Sequence, residues 1–236
     1  MAGSSLRLMS TLAVEKAFKS RILPAWRELG REIEVAWSPT TVLMREVEAG
    51  ARADAIVLID GPMAELVAAG IVLAESVTPI AQARVGLGMR AGAIPPDIST
   101  PDRFRQVLLD APSIAYSRTG ASGIYFARLI AQLGIADEIN AKAVVVPAGF
   151  TGEKILSGEA EFAVQQVSEL MSVDGVEVIG AFPDEVQAPT DFSAAIFREA
   201  REPAAAQAFL AHLTSAAAHS AYSEGGLIAR FDRPVG

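Results

Sequence analysis

Three short stretches gather hydroxyl side chains just where a helix is about to begin: Ser10-Thr11, Ser38-Pro39-Thr40-Thr41, and Ser117-Arg118-Thr119-Gly120-Ala121-Ser122-Gly123. Hydroxyls and the unpaired N–H groups of a helix start are neutral donors that suit a carboxylate or an oxyanion. Ser and Thr are also ordinary helix N-caps, but capping uses one hydroxyl per helix and these stretches offer two or three. Gly120 and Gly123 allow close backbone approach, either to a ligand or simply within a turn. Arg118 adds a guanidinium that can clamp a carboxylate through two parallel hydrogen bonds, or stand solvated in its loop.

Proton-transfer groups are harder to assign. His212 and His219 lie in an Ala-rich helical tail and read as packing or surface residues. Asp54 precedes a strand and suits a structural contact with a neighbouring turn, while Glu153 suits the positive end of a helix. Tyr116 ends a strand beside the Arg118 turn, as a core residue or a proton donor. None has the partner spacing of a catalytic triad, and no His/Glu cluster suggests a metal. The glycines lack the GxGxxG and GxxxxGK[ST] spacings of nucleotide sites. Neither a metal nor a cofactor is expected. Trp26 and Trp37 read as core.

The elements that must position these groups follow from periodicity. Residues 6–9 form a short apolar strand, and Phe18, Ile22, Trp26 and Leu29 then recur at helical spacing up to Gly30. Residues 33–37 form a second strand, followed by a helix carrying Leu43, Met44 and Val47, and by a third strand over 55–59. This βαβαβ order predicts a parallel sheet with helices on its faces. A β-rich passage over 78–89 leads to a second α/β set: strand 113–116, helix 124–133, strand 143–146, then strands 162–165 and 176–179. Residues 192–197 are strand-like, and the Ala-rich helix from Pro203 onward is expected to return to the first lobe. The ligand edge of such sheets lies beyond the carboxyl ends of the strands, where the three hydroxyl stretches fall.

Composition bounds the rest. The chain has 236 residues, 51% of them hydrophobic, which supplies core for one large α/β domain or two interleaved lobes. Its 20 basic and 28 acidic residues give a net charge of −8 with no basic block, so a nucleic-acid surface is set aside. No apolar run reaches the roughly 18 residues of a membrane span. There are no cysteines, hence no disulfide or thiolate site. Met-Ala-Gly-Ser-Ser leads straight into the first strand without a secretory pattern, so the expectation is a cytoplasmic protein as written, or a periplasmic one whose signal has been removed.

In order along the chain, several segments resemble the molybdate-binding-protein-like group of type 2 periplasmic solute-binding proteins. They are residues 8–13 (LMSTLA), 40–50 (TTVLMREVEAG) with 53–58 (ADAIVL), 119–135, and 156–165 (LSGEAEFAVQ). The resemblance implies a two-lobed α/β fold with mixed, mainly parallel sheets and two β-strand hinges, near 78–86 and 187–194. Lobe I would comprise residues 1–80 with 192–236, and lobe II residues 81–191. It further implies a small anion in the interlobe cleft, with Ser10, Thr11, Thr40 and Thr41 facing it from one lobe and Thr119, Gly120, Ala121, Ser122, Gly123 and Gln165 from the other.

Two departures shape the expected ligand. A tyrosine is expected about where Gln165 stands, and Arg118 adds a charge suited to a carboxylate, so an organic acid is expected rather than molybdate. The same resemblance covers isomerases of small unsaturated acids, such as aconitate isomerase. Moving a double bond there needs a base beside a carboxylate and groups that stabilise an enediolate. The expectation is therefore a solute-binding protein for a small carboxylate, served by an ABC transporter permease if exported. The alternative is an isomerase of the same fold, and a ligand-sensing module is a third reading.

Overall fold

The structure, a computed structural model, describes residues 5–147 and 149–231; residues 1–4, most of the N-terminal stretch read above for export, lie outside it. The chain divides into two compact units, Met1–Ala83 with Thr190–Gly236, and Arg84–Pro189.

The first unit opens with β1 (Leu6–Ser10). A helical segment follows, made of a 3₁₀ turn (Leu12–Val14), α1 (Glu15–Ala17), a π turn (Phe18–Ile22) and α2 (Leu23–Glu28). The π turn has a local cause: Pro24 has no N–H to donate and its ring crowds the preceding turn, which a widened turn accommodates. Phe18, Ile22 and Trp26 are buried as their spacing predicts, but Leu29 is 61% exposed, because the helix has already ended.

Next come β2 (Ile33–Trp37), α3 (Thr40–Glu48), β3 (Ala55–Ile59), α4 (Asp60–Ala68) and β4 (Thr78–Ala83). Strand β1 is parallel to both β2 and β3. The wholly apolar β3 is buried along nearly its full length, as a strand covered on both faces should be.

The second unit contains β5 (Val85–Arg90), α5 (Pro101–Asp110), β6 (Ile114–Ser117), α6 (Ala121–Gln132), α7 (Ala136–Asn140) and β7 (Ala143–Val146). It continues through α8 (Glu153–Leu156), β8 (Phe162–Gln166), α9 (Val167–Leu170) and β9 (Val176–Ala181). Its sheet runs β7-β6-β8-β5-β9, with β6 parallel to β7 and β8, and β5 antiparallel to β8 and β9. Phe104, Phe126, Phe182 and Tyr116 form the centre of its larger core.

The chain then re-enters the first unit through β10 (Thr190–Ile196), α10 (Pro203–Leu213), α11 (Ala216–Glu224) and β11 (Ile228–Ala229). The Ala-rich tail is thus two helices rather than one. Its break lies at Ser215, whose side chain accepts from the Ala218 N–H (3.2 Å) and starts the second helix. Strand β10 enters between β3 and β4, antiparallel to both, completing the order β11-β4-β10-β3-β1-β2. Trp26 and Phe18 meet Phe209 and Tyr222 on one face of this sheet, while Leu43, Met63, Leu66 and Phe197 cover the other.

Candidate functional site

In the first unit the carboxyl ends of β1, β2 and β3 share one sheet edge. Ser10 and Thr11 lie there, both buried, tied by the Thr11 N–H to Val57 O (3.2 Å) and the Ser38 N–H to Ser10 O (3.2 Å). Those bonds bring the first two hydroxyl stretches together. Thr40 opens α3, yet neither it nor Thr41 caps the helix: the N-cap is Pro39, and no side chain serves it. The Val42 and Leu43 N–H groups both reach Pro39 O (2.9 and 3.0 Å), so the amides of Thr40 and Thr41 precede the helix's own bonding. Thr41 is exposed. Thr40 is 6% exposed, and its Oγ1 has no hydrogen-bond partner among the described residues. A buried hydroxyl without a partner is costly and uncommon. Where hydroxyls in this chain do act as caps, at Thr100 and Ser215, the bond is present.

In the second unit the carboxyl ends of β6, β7 and β8 likewise share an edge. Ser117 Oγ accepts from the Gly120 N–H (2.9 Å), closing the turn, and the Thr119 hydroxyl donates to Pro147 O (2.8 Å). The Arg118 N–H donates to Val146 O (2.8 Å), while its side chain is exposed and makes no ion pair among the described residues. The first helical bond of α6 is the Ile124 N–H to Gly120 O (3.0 Å), so the amides of Ala121, Ser122 and Gly123 lie ahead of it. Gly123 is required by packing: a Cβ there would stand 1.8 Å from Ser117 O. Its lack of a side chain lets α6 press its N-terminus onto the end of β6.

Gln165 is buried and already engaged. Its Oε1 accepts from the Thr151 N–H (2.8 Å) and the Thr151 hydroxyl (3.0 Å), and its Nε2 donates to Gly149 O (3.2 Å).

The proton-transfer candidates have other occupations. Asp54 is buried and accepts from the backbone N–H groups of Arg7, Arg201 and Glu202 (2.8, 2.8 and 3.0 Å), which makes it a structural brace. The Tyr116 hydroxyl donates to Asn140 (2.9 Å), and Glu153 is exposed in the first turn of α8. His212 pairs with Ile22 O (3.0 Å) beside Trp26, and His219 packs edge-on against Phe231.

One cluster has no counterpart among the sequence candidates. Asp60, directly after the apolar β3, accepts from the Ser193 hydroxyl (2.7 Å) and from Arg230 Nη1 (2.9 Å). Arg230 also approaches Asp191 (3.5 Å), which accepts from Gln82 (2.7 Å). Asp60 lies at the same edge as Ser10, since β3 neighbours β1. An acid closing an all-apolar strand was the available signal. Its partners come from residues far apart in sequence. Among the described residues no group of three or more His, Asp or Glu is placed to hold a metal, and no helix is long and apolar enough to cross a membrane.

A family model described as bacterial extracellular solute-binding protein matches residues 6–228. An aconitate isomerase from Pseudomonas sp is 32% identical over 213 residues, spanning 87% of this chain and 81% of that protein. Among solved structures, the periplasmic molybdate-binding protein of Azotobacter vinelandii superposes with a TM-score of 0.79 at 16% identity, covering 95% of this chain and 99% of that one. The sulfate-binding protein SubI of Mycobacterium tuberculosis H37Rv does so with a TM-score of 0.76 at 16% identity, covering 98% and 87%. At these identities the two structures speak for the fold, a two-lobed type 2 periplasmic-binding-protein fold.

Proposed function

Because the chain belongs to the bacterial extracellular solute-binding proteins, we propose that it binds a small organic carboxylate through the hydroxyl and amide donors that each unit gathers at one sheet edge. The observation that carries this reading is the Thr40 hydroxyl, buried and without a partner among the described residues at the start of α3. An exchangeable ligand oxygen supplies the missing partner. Ser10, Thr11, Thr41, Thr119, Ala121, Ser122 and Gly123 belong to the same donor sets, Gly120 to the turn that holds them, its N–H being taken by Ser117, and Gln165 to their surroundings. Arg118 tilts the ligand towards a carboxylate, because a guanidinium outside any ion pair among the described residues offers two parallel donors to a planar anion. Titration calorimetry with trans-aconitate, citrate, molybdate and sulfate tests this. Binding of the carboxylates is expected, and binding of molybdate alone would sink it.

A second reading, isomerisation of a small unsaturated acid, is favoured by the 32% identity with an aconitate isomerase over most of both chains. It needs a base, and Asp60 is the carboxylate that the first unit holds at the same edge as Ser10, with its two oxygens oriented by Ser193 and Arg230. Incubation with cis- and trans-aconitate followed by NMR decides between binding and turnover. If turnover occurs, Asp60→Asn is expected to lower kcat at least about a hundredfold with little change in KM; an unchanged kcat would remove Asp60 from the reaction. Were the protein exported, an ABC transporter permease would be its partner on the transport reading.

A further inference from the structure

Gln165 heads a chain of hydrogen bonds that ends at the Arg118 turn. Its amide is oriented without ambiguity, because the Thr151 N–H can only donate and so must face Oε1. The Thr151 side chain is fully buried, and its single hydroxyl proton is shared between Gln165 Oε1 (3.0 Å) and Val164 O (3.2 Å). On the other side of the amide, Nε2 holds Gly149 O (3.2 Å), in a residue whose φ of 91° commits the loop to a left-handed turn. Two residues before Gly149, Pro147 O receives the Thr119 hydroxyl (2.8 Å), and the last residue of β7, Val146, receives the Arg118 N–H on its carbonyl (2.8 Å). One buried side chain thus holds Gly149 and Thr151 beyond β7, and Val146 and Pro147 at the end of that strand hold the turn that displays Arg118.

We infer that Gln165 is a positioning residue: it sets the place of Arg118 and Thr119 by bracing Gly149 and Thr151 beyond β7, rather than by offering its own amide to the ligand. The inference rests on the proposed function in that the Arg118 turn is the ligand-facing element. Both ends of the amide are spent on protein partners, and a group this committed offers a ligand at most one remaining Nε2 hydrogen. Substitutions at Gln165 would therefore act on ligand affinity only through Thr119 and Arg118.

A double-mutant cycle with a ligand-free readout tests it on the full-length chain. Gln165→Met keeps the size and drops all three bonds; Thr119→Val cuts the link to Pro147 O downstream. Amide exchange at Arg118 is expected to quicken by about tenfold in Gln165→Met, while the Phe104 and Leu133 amides, hydrogen-bonded elsewhere in the same unit, keep their protection. Affinity for trans-aconitate is expected to fall by about tenfold in each single variant, and no further in the double variant. Unchanged Arg118 exchange in Gln165→Met, or losses that simply add in the double variant, would overturn the inference. If Gln165→Met does not fold, Gln165→Glu serves: it keeps an acceptor for Thr151 but cannot hold Gly149 O, and about threefold faster exchange at Arg118 is expected, with no change again overturning the inference. If trans-aconitate does not bind the unmodified chain, the carboxylate reading fails, while the exchange measurement still decides the role of Gln165.

Discussion

A buried hydroxyl without a partner costs about 1–3 kcal/mol, and at Thr40, unpartnered among the described residues, a ligand oxygen is the partner that the proposed function supplies. Replacing Thr40 with the like-shaped valine separates stability from binding. Thr40→Val is expected to raise the thermal midpoint or leave it unchanged, the gain being about 1 kcal/mol, while weakening trans-aconitate binding by about tenfold. A melt together with a calorimetric titration checks both. Tyr222 behaves in the opposite way. It is fully buried, its hydroxyl donates to Leu213 O (3.2 Å), and burial pushes its pKa far above 10.0. Above about pH 10 the unfolded tyrosine loses its proton while the folded one keeps it, so the folded state binds more protons and stability falls as pH rises, by up to about 1.4 kcal/mol per pH unit for this one group. Tyr222→Phe is expected to flatten that alkaline slope in denaturant titrations at pH 9 to 11, despite losing a hydrogen bond.

At the scale of elements, the junction of β6 with α6 is the most exacting contact on the candidate edges. A methyl group added at position 123 would stand only 1.8 Å from Ser117 O, so backbone must move before any side chain fits. Gly123→Ala is expected to cost about 3 kcal/mol or more, on the order of a severe overpacking, and to lower the urea midpoint accordingly. The strand–turn–helix units were legible in the sequence because apolar periodicity and hydroxyl turns are local signals: β1, β2, β3, β6 and the start of α3 lie where spacing puts them. Spacing could not show the π turn before Pro24, which depends on how a helix absorbs a proline, nor the break at Ser215 within the alanine-rich tail. The Asp60–Arg230 pair was invisible for another reason: its partners are 170 residues apart, and only the strand order brings them together. Gln165 was legible as a candidate position, but its hydrogen bonds were not, because its partners sit on a loop with no pattern of its own.

At the scale of the whole molecule, the two units differ in how the chain builds them. Arg84–Pro189 is one continuous stretch with its own sheet and cores, whereas the first unit needs both ends of the chain. A fragment of residues 84–189 is therefore expected to melt cooperatively on its own, while residues 1–83 alone are expected to lack a transition, since β10 and the Phe209–Tyr222 side of their core are missing. Circular dichroism melts of the two fragments check this. The register of β10 on β4 pairs Thr190 with Ala83, the very residues that flank the second unit. Its two ends are thus brought to within a strand spacing of each other, about 5 Å, by the first unit's own hydrogen bonds. In chain order, the entire second unit is an insertion between the paired strands β4 and β10. An ordinary two-residue turn between β4 and β10 would satisfy the same register, so along the chain the first unit reads as a single-sheet protein interrupted, at one hairpin connection, by a second folding module.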